Sequence, residues 1–162
     1  MQSLADFYAA YHTPILFLHV LSAVVWVGGM IAMRFAAHHS FMELREPPQR
    51  LERISHALGR LFAIVAPFIL ILLATALIMA LALNLHHGEA AYLAFAKEGI
   101  WAFMALNYLA MVLRRNKVAA LIETGALVDA KEKLAPIGAY MVPANILLGL
   151  IAIYLGVALR FG

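Results

Sequence analysis

The residue best placed to do chemistry is His19, which sits inside the uncharged run PILFLHVLSAVVWVGGMIAM from Pro14 to Met33. An ionisable side chain in such a run is costly to bury in hydrocarbon, so it marks a candidate site by default. At 100° per residue, His12, Ser22, Trp26, Met30 and Met33 fall on roughly the same side of a helix as His19. One stripe thus gathers two imidazoles, an indole and two thioethers. A neutral imidazole ligates haem iron or copper, and a thioether ligates copper(I) or low-spin haem iron. Two other readings stand beside this one. His19 can be a packed histidine bonded to a carbonyl, Asn or Tyr of another helix, with Trp26, Met30 and Met33 as ordinary core. It can also handle protons.

The remaining histidines form two groups. His12, His86 and His87 belong to one predicted membrane face, where with Glu89 they would suit metal capture, or would simply be solvated loop imidazoles. His38, His39 and His56 belong to the other face, where an axial haem pair is conceivable. Helical phase turns His38 and His39 away from the His19 stripe, so His19 and His39 cannot grip one haem from the same helix. Such a haem needs a ligand from another helix or protomer.

Four elements are predicted to position these groups. The chain has 162 residues, 65% of them hydrophobic and 13% charged, against about 45–50% and about 25% in a soluble domain. Uncharged stretches of about 20 residues have the length that crosses a bilayer. The predicted spans are about 14–37, 61–85, 92–114 and 135–159, forming a single all-α membrane domain, a polytopic four-helix bundle. Pro14 suits a first helical turn, and Gly88 suits a C-terminal cap that would bring His86 and His87 into the last turn of the second helix. Leu51, Ile54 and Leu58 predict an amphipathic helical lead-in to the second span, and Pro67 a kink within it. Lys97-Glu98 predicts an interfacial turn at the start of the third span, and Ala152-xxx-Gly156 a close helix contact in the fourth.

Arg34, Arg45, Arg50, Arg53 and Arg60 flank the first connection, and Arg114, Arg115, Lys117, Lys131 and Lys133 the third. Ten of the 12 basic residues therefore agree on one topology, with those two connections inside and both termini outside. The formal charge of +3 reflects this bias rather than a nucleic-acid partner. The first Lys or Arg is Arg34, so the first run lacks the basic start of a cleavable signal peptide.

The absence of cysteine excludes disulfides, thiolate metal sites and covalent haem attachment through cysteine. Asn107 and Asn145 are expected to hydrogen-bond between helices, as polar residues in membrane helices commonly do. Thr75, Asn84, Tyr108, Tyr140 and Tyr154 are further polar groups in or near the spans. There is no Ser/His/Asp grouping, no phosphate loop and no pair of intramembrane carboxylates, so hydrolase, nucleotidase and carboxylate-driven pump chemistry lack their usual parts.

Leu18-His19, Trp26, Gly29, Arg34 and His39 resemble the first span of the HemJ family of protoporphyrinogen oxidases and of the related copper-resistance CopD-type membrane domains. The similarity continues more weakly through Arg60, Pro67, Trp101 and Val142-Pro143. Ala102-Phe103-Met104-Ala105 follows Trp101 where HemJ-like sequences place a Lys, and Met141-Val142 precedes Pro143 where they place a Glu. The resemblance implies a haem-b protein of a bacterial inner (cytoplasmic) membrane, acting in electron transfer or porphyrin oxidation. His19 would be an axial ligand and His39 or an outer histidine a second candidate, with Arg34 beside the cofactor and Trp26 packed on the macrocycle. A rival reading is a copper-handling transporter or chaperone-like module that collects the ion at His12, His86 and His87 and passes it along Met30 and Met33. A third is a structural subunit of a larger membrane complex or homo-oligomer, with the lipid bilayer as the one certain partner.

Overall fold

The computed structural model describes residues 2–87 and 91–161, and side chains for 4–87 and 91–158. Its elements are four helical rods joined by short connections. The rod α1 runs as α-helix over Gln2–Ala23, opens into a π-turn at Val24–Gly28, returns to α-helix at Gly29–Ala32, opens again at Met33–Ala37 and ends with His38–Met42. The rod α2 spans Pro47–Ala82 and α3 spans Ala91–Glu123. The last rod, α4, comprises Leu127–Pro136, a π-turn at Ile137–Met141 and Val142–Phe161. Leu4–Met42, Pro47–Ala82 and Leu127–Ala158 are long and apolar enough to cross a membrane. The uncharged part of α3 runs only from Gly99 to Leu113, which keeps it out of that group.

The irregularities have local causes. Within α1 two helical stretches meet at a kink at Tyr11, φ −119°, ψ 20°, and Pro14 falls in the first turn of the second stretch, where its missing N–H costs no helix bond. The π-turn of α4 immediately precedes Pro143, whose ring would strike the Ala139 carbonyl in a regular turn, and the wider turn relieves that clash. In α2 the helix continues through Pro67. The lead-in of α2 is as anticipated: Leu51, Ile54 and Leu58 are buried on one face of the same continuous helix.

Two expectations need correction. The interfacial turn at Lys97-Glu98 is absent, because α3 is unbroken from Ala91 onward and its alanine- and leucine-rich start favours helix through both charges. The second helix stops well before His86. Asn84 takes φ 56° and the Leu85 N–H donates to the Ala80 carbonyl at 3.0 Å, closing a left-handed cap in which Asn does what glycine usually does. Gly88 lies outside the described residues.

α1 packs along α2, and α3 along α4 and α2. The core at their junction holds Trp26, Met30, Phe62, Val65, Met104 and Met111. Asn107 Nδ2 donates to the Asn145 Oδ1 and to the Met141 carbonyl, both at 2.8 Å, and Asn145 Nδ2 donates to the Met104 carbonyl at 3.2 Å. The anticipated interhelical pair is therefore formed, and it ties α3 to the irregular turn of α4. Tyr108 donates its hydroxyl to the Phe62 carbonyl at 2.6 Å, next to the Ala63 carbonyl that Pro67 leaves without an N–H.

Candidate functional site

The stripe seen in the sequence divides into a core and two separate polar regions. Ser22, Trp26, Met30 and Met33 are buried, with Trp26 1% and Met30 0% exposed. Trp26 meets Tyr108 edge-on at 6.4 Å between ring centroids, and Phe62 meets the same tyrosine at 5.5 Å. The indole thus plugs the bundle between α1, α2 and α3, and its Nε1 has no protein partner. Met30 and Met33 pack in the same core.

On one side of this plug lies His19, half-buried, with Nδ1 3.0 Å from the Thr75 hydroxyl of α2. Thr75 has a single proton, and it points at the Ile71 carbonyl at 2.8 Å and the Leu72 carbonyl at 3.1 Å. In the tautomer protonated at Nδ1 the hydroxyl oxygen accepts from His19 Nδ1–H. That tautomer leaves the Nε2 lone pair uncommitted. A histidine whose second nitrogen is held in this way is the usual arrangement of a metal-ligating imidazole. Thr75 was visible in the sequence only as one more polar group, because nothing in its spacing relates it to His19.

The Lys97 ammonium of α3 is close enough for its charge to act on His19. It rests in the notch at Gly156 of α4, where an added Cβ would lie 3.0 Å from Nζ. The predicted close contact at Gly156 is thus with a lysine side chain. The sequence places Lys97 at a membrane boundary, whereas the continuous helix α3 leaves it half-buried.

On the other side of the plug, about 22 Å along the helix from His19 at 1.5 Å per residue, the rods open into a cavity of about 680 Å³. Arg34 and His38 of α1, Arg50 of α2 and Lys131 of α4 line it together with apolar side chains from all three rods. Arg34, His38 and Arg50 are half-buried. His38 lines the cavity, whereas His39 is exposed with its ring edge-on to His38 at 6.4 Å, and His56 is exposed as well. The contributions of Arg50 and Lys131 depend on loop folding and have no signature in residue spacing.

His12, His86 and His87 do not converge on a common metal centre. His12 is exposed and makes local contacts with the Ala9 carbonyl and Thr13. His86 pairs with Glu98 at 2.6 Å, and His87 is exposed beyond the end of α2. Among the described residues no three His, Asp or Glu side chains come together in a way that holds a metal ion. Glu89 lies outside the described residues.

Fold and site together define, among the described residues, a helical protein with long apolar rods, a half-buried histidine bonded to Thr75 and a cavity lined by basic side chains. Comparison with family models, with curated proteins and with solved structures gives no match.

Proposed function

We propose that this chain is a four-span membrane protein of HemJ/CopD-like type that binds haem b and works in electron transfer, with His19 Nε2 as an axial ligand. The observation that carries this reading is the His19–Thr75 hydrogen bond, which holds the ring and leaves Nε2 open. The donor set fits one axial position. Among the described residues the side-chain hydrogen-bond partner of His19 is Thr75 rather than a second histidine, and a six-coordinate haem would take its other ligand from a second copy or another subunit. When bound, haem supplies the one-electron chemistry, while the protein supplies ligand basicity and burial. His19 would hold the iron, Thr75 would orient its ring, and Trp26 fills the core beside it. Four spans with both termini outside follow from the charge bias, and Arg34, Arg50 and Lys131 lining one cavity is in keeping with the first and third connections sharing a face.

The test is a visible spectrum of the detergent-purified protein, oxidised and then reduced, from cells supplied with haem precursor. A Soret band that shifts on reduction and is lost in His19→Ala is expected. A wild-type protein without that band would overturn the haem assignment, and retention of haem at full stoichiometry in His19→Ala would reduce His19 to a packing residue. Orientation is tested separately, because the chain has no cysteine: a membrane-impermeant maleimide added outside should label Asn84→Cys and spare Asn116→Cys.

A further inference from the structure

We infer that the cavity lined by Arg34, Arg50 and Lys131 is a seat for one anionic phospholipid of the leaflet that faces the two basic connections. Half-buried Arg34 and Arg50 and the exposed Lys131, from three rods, line one cavity that is otherwise largely apolar. No carboxylate compensates them: among the described residues the only ion pair is His86–Glu98, at the other end of the bundle. Glu43, Glu46, Asp129 and Glu132 stand on the adjoining segments, yet none lies within the 4.0 Å of an ion pair. Arg50 is held in place by the Leu44 carbonyl, which accepts from Nε at 3.2 Å and Nη2 at 2.6 Å. Its guanidinium is thus fixed before any ligand arrives.

Unpaired charge beside apolar walls calls for an anion that also brings an apolar body. A soluble phosphate would satisfy the cations and leave Leu51, Ile54 and Leu134 facing water. A zwitterionic lipid would cover those walls and add no net charge. An anionic phospholipid does both, its phosphate on Arg34 and Arg50 and an acyl chain along the apolar lining. Basic pockets between membrane helices on the positive face take such headgroups. The volume of about 680 Å³ falls in the range of ligand cavities, about 300–1,000 Å³, which accommodates a headgroup and the upper part of one chain. Gly138 lines the same cavity, and a Cβ built there meets nothing within 4 Å, so a larger side chain at this position has room to enter it.

The inference rests on the membrane-spanning reading but is independent of haem. The experiment is native mass spectrometry of the full chain in detergent, titrated with phosphatidylglycerol, with phosphatidylcholine and, in a separate series, with inorganic phosphate. Phosphatidylglycerol should bind as a single tight adduct, at least tenfold tighter than phosphatidylcholine, with no adduct from inorganic phosphate. At about fivefold per cation near a membrane surface, Arg34→Gln/Arg50→Gln/Lys131→Gln should weaken that adduct about 100-fold. Gly138→Leu fills the space without touching a charge and should weaken it at least tenfold. Circular dichroism on each variant establishes that it is folded, and His19→Ala should bind the lipid as wild type does. Equal binding of both lipids, an adduct with inorganic phosphate alone, or a folded triple variant of unchanged affinity overturns the proposal. Loss of the Soret band with lipid binding retained would count against haem and leave the lipid seat standing. Asn84→Cys and Asn116→Cys labelled from the wrong sides would move the lipid to the other leaflet. A chain recovered without membranes would remove the spanning reading itself.

Discussion

The His19 half of the bundle and the Arg34 end handle polar atoms in apolar surroundings by opposite means. Around His19 the hydrogen bonds close locally: the Thr75 hydroxyl meets both the Ile71 carbonyl and the imidazole Nδ1, so Nε2 is the ring nitrogen left over. Around Arg34 the charges are left open, with Arg50 anchored by a carbonyl and, among the described residues, no carboxylate in ion-pair contact with Arg34, Arg50 or Lys131. A region that ends in a single directed lone pair is suited to a ligand bond, which is short and specific. A region that ends in several unpaired cations is suited to an anion held by field and shape. Trp26, with Met30 and Phe62 around it, separates the two, so one haem spanning from His19 to Arg34 and His39 does not fit this arrangement.

The largest expected effect comes from removing that partition. Trp26→Ala deletes an indole that is 1% exposed and wedged between α1 and the Tyr108–Phe62 pair. Large-to-small core changes of this kind cost about 3–5 kcal/mol. Lipid tails are themselves apolar, so the transfer part is reduced and the packing part remains, which places the loss near the lower end, at about 3 kcal/mol. Denaturation of helicity by a titrated harsh detergent would measure it. A loss below about 1 kcal/mol would mean that the two halves are not held apart by this residue.

The second prediction separates a positioning role from a packing role on the His19 side. Thr75→Val keeps the shape and removes the acceptor for Nδ1–H. Loss of such a hydrogen bond to a ligating histidine typically weakens metal affinity by about 10–100-fold. Haem titration of the apo-protein should show a change of that order, together with a shifted reduction potential. A variant with unchanged affinity and potential would leave Thr75 as helix packing only.

How far these features could be read from the sequence depends on whether they are periodic. The apolar rods, the Asn107–Asn145 pair and the buried face of Leu51, Ile54 and Leu58 all follow from spacing and hydropathy, and the structure contains each of them. His19 was visible because a lone imidazole in an uncharged run stands out. Its partner was not, since Thr75 is one of several hydroxyls and the contact bridges 56 residues. The basic cavity was half visible: the charge count put Arg34, Arg50 and Lys131 on one face, while their convergence depends on how the first and third connections fold. The end of α2 was misread because glycine is the usual left-handed residue after a helix, and here Asn84 takes that conformation four residues before Gly88.

The smallest expected effects concern the glycines that set the spacing of α4, and they test the comparison from the packing side. A Cβ at Gly149 would stand 2.5 Å from Val27 Cγ2 and 3.2 Å from Met104 Cε, against a stiff β-branched side chain on α1. Overpacking costs about 1–3 kcal/mol, and the gain of about 1 kcal/mol from replacing a helical glycine by alanine offsets part of it. Gly149→Ala should therefore destabilise by about 1 kcal/mol. At Gly156 the added Cβ meets only the tip of Lys97, a flexible side chain that can swing aside. There the helical gain outweighs the contact, and Gly156→Ala should be neutral to stabilising by about 0.5 kcal/mol in the same unfolding assay. It should also move the Lys97 ammonium relative to His19, which the reduction potential of the haem-loaded protein would register. A Gly156→Ala protein as destabilised as Gly149→Ala would show that Lys97 is locked in its notch, and the His19 side would then be as rigidly built as the core that separates it from the cavity.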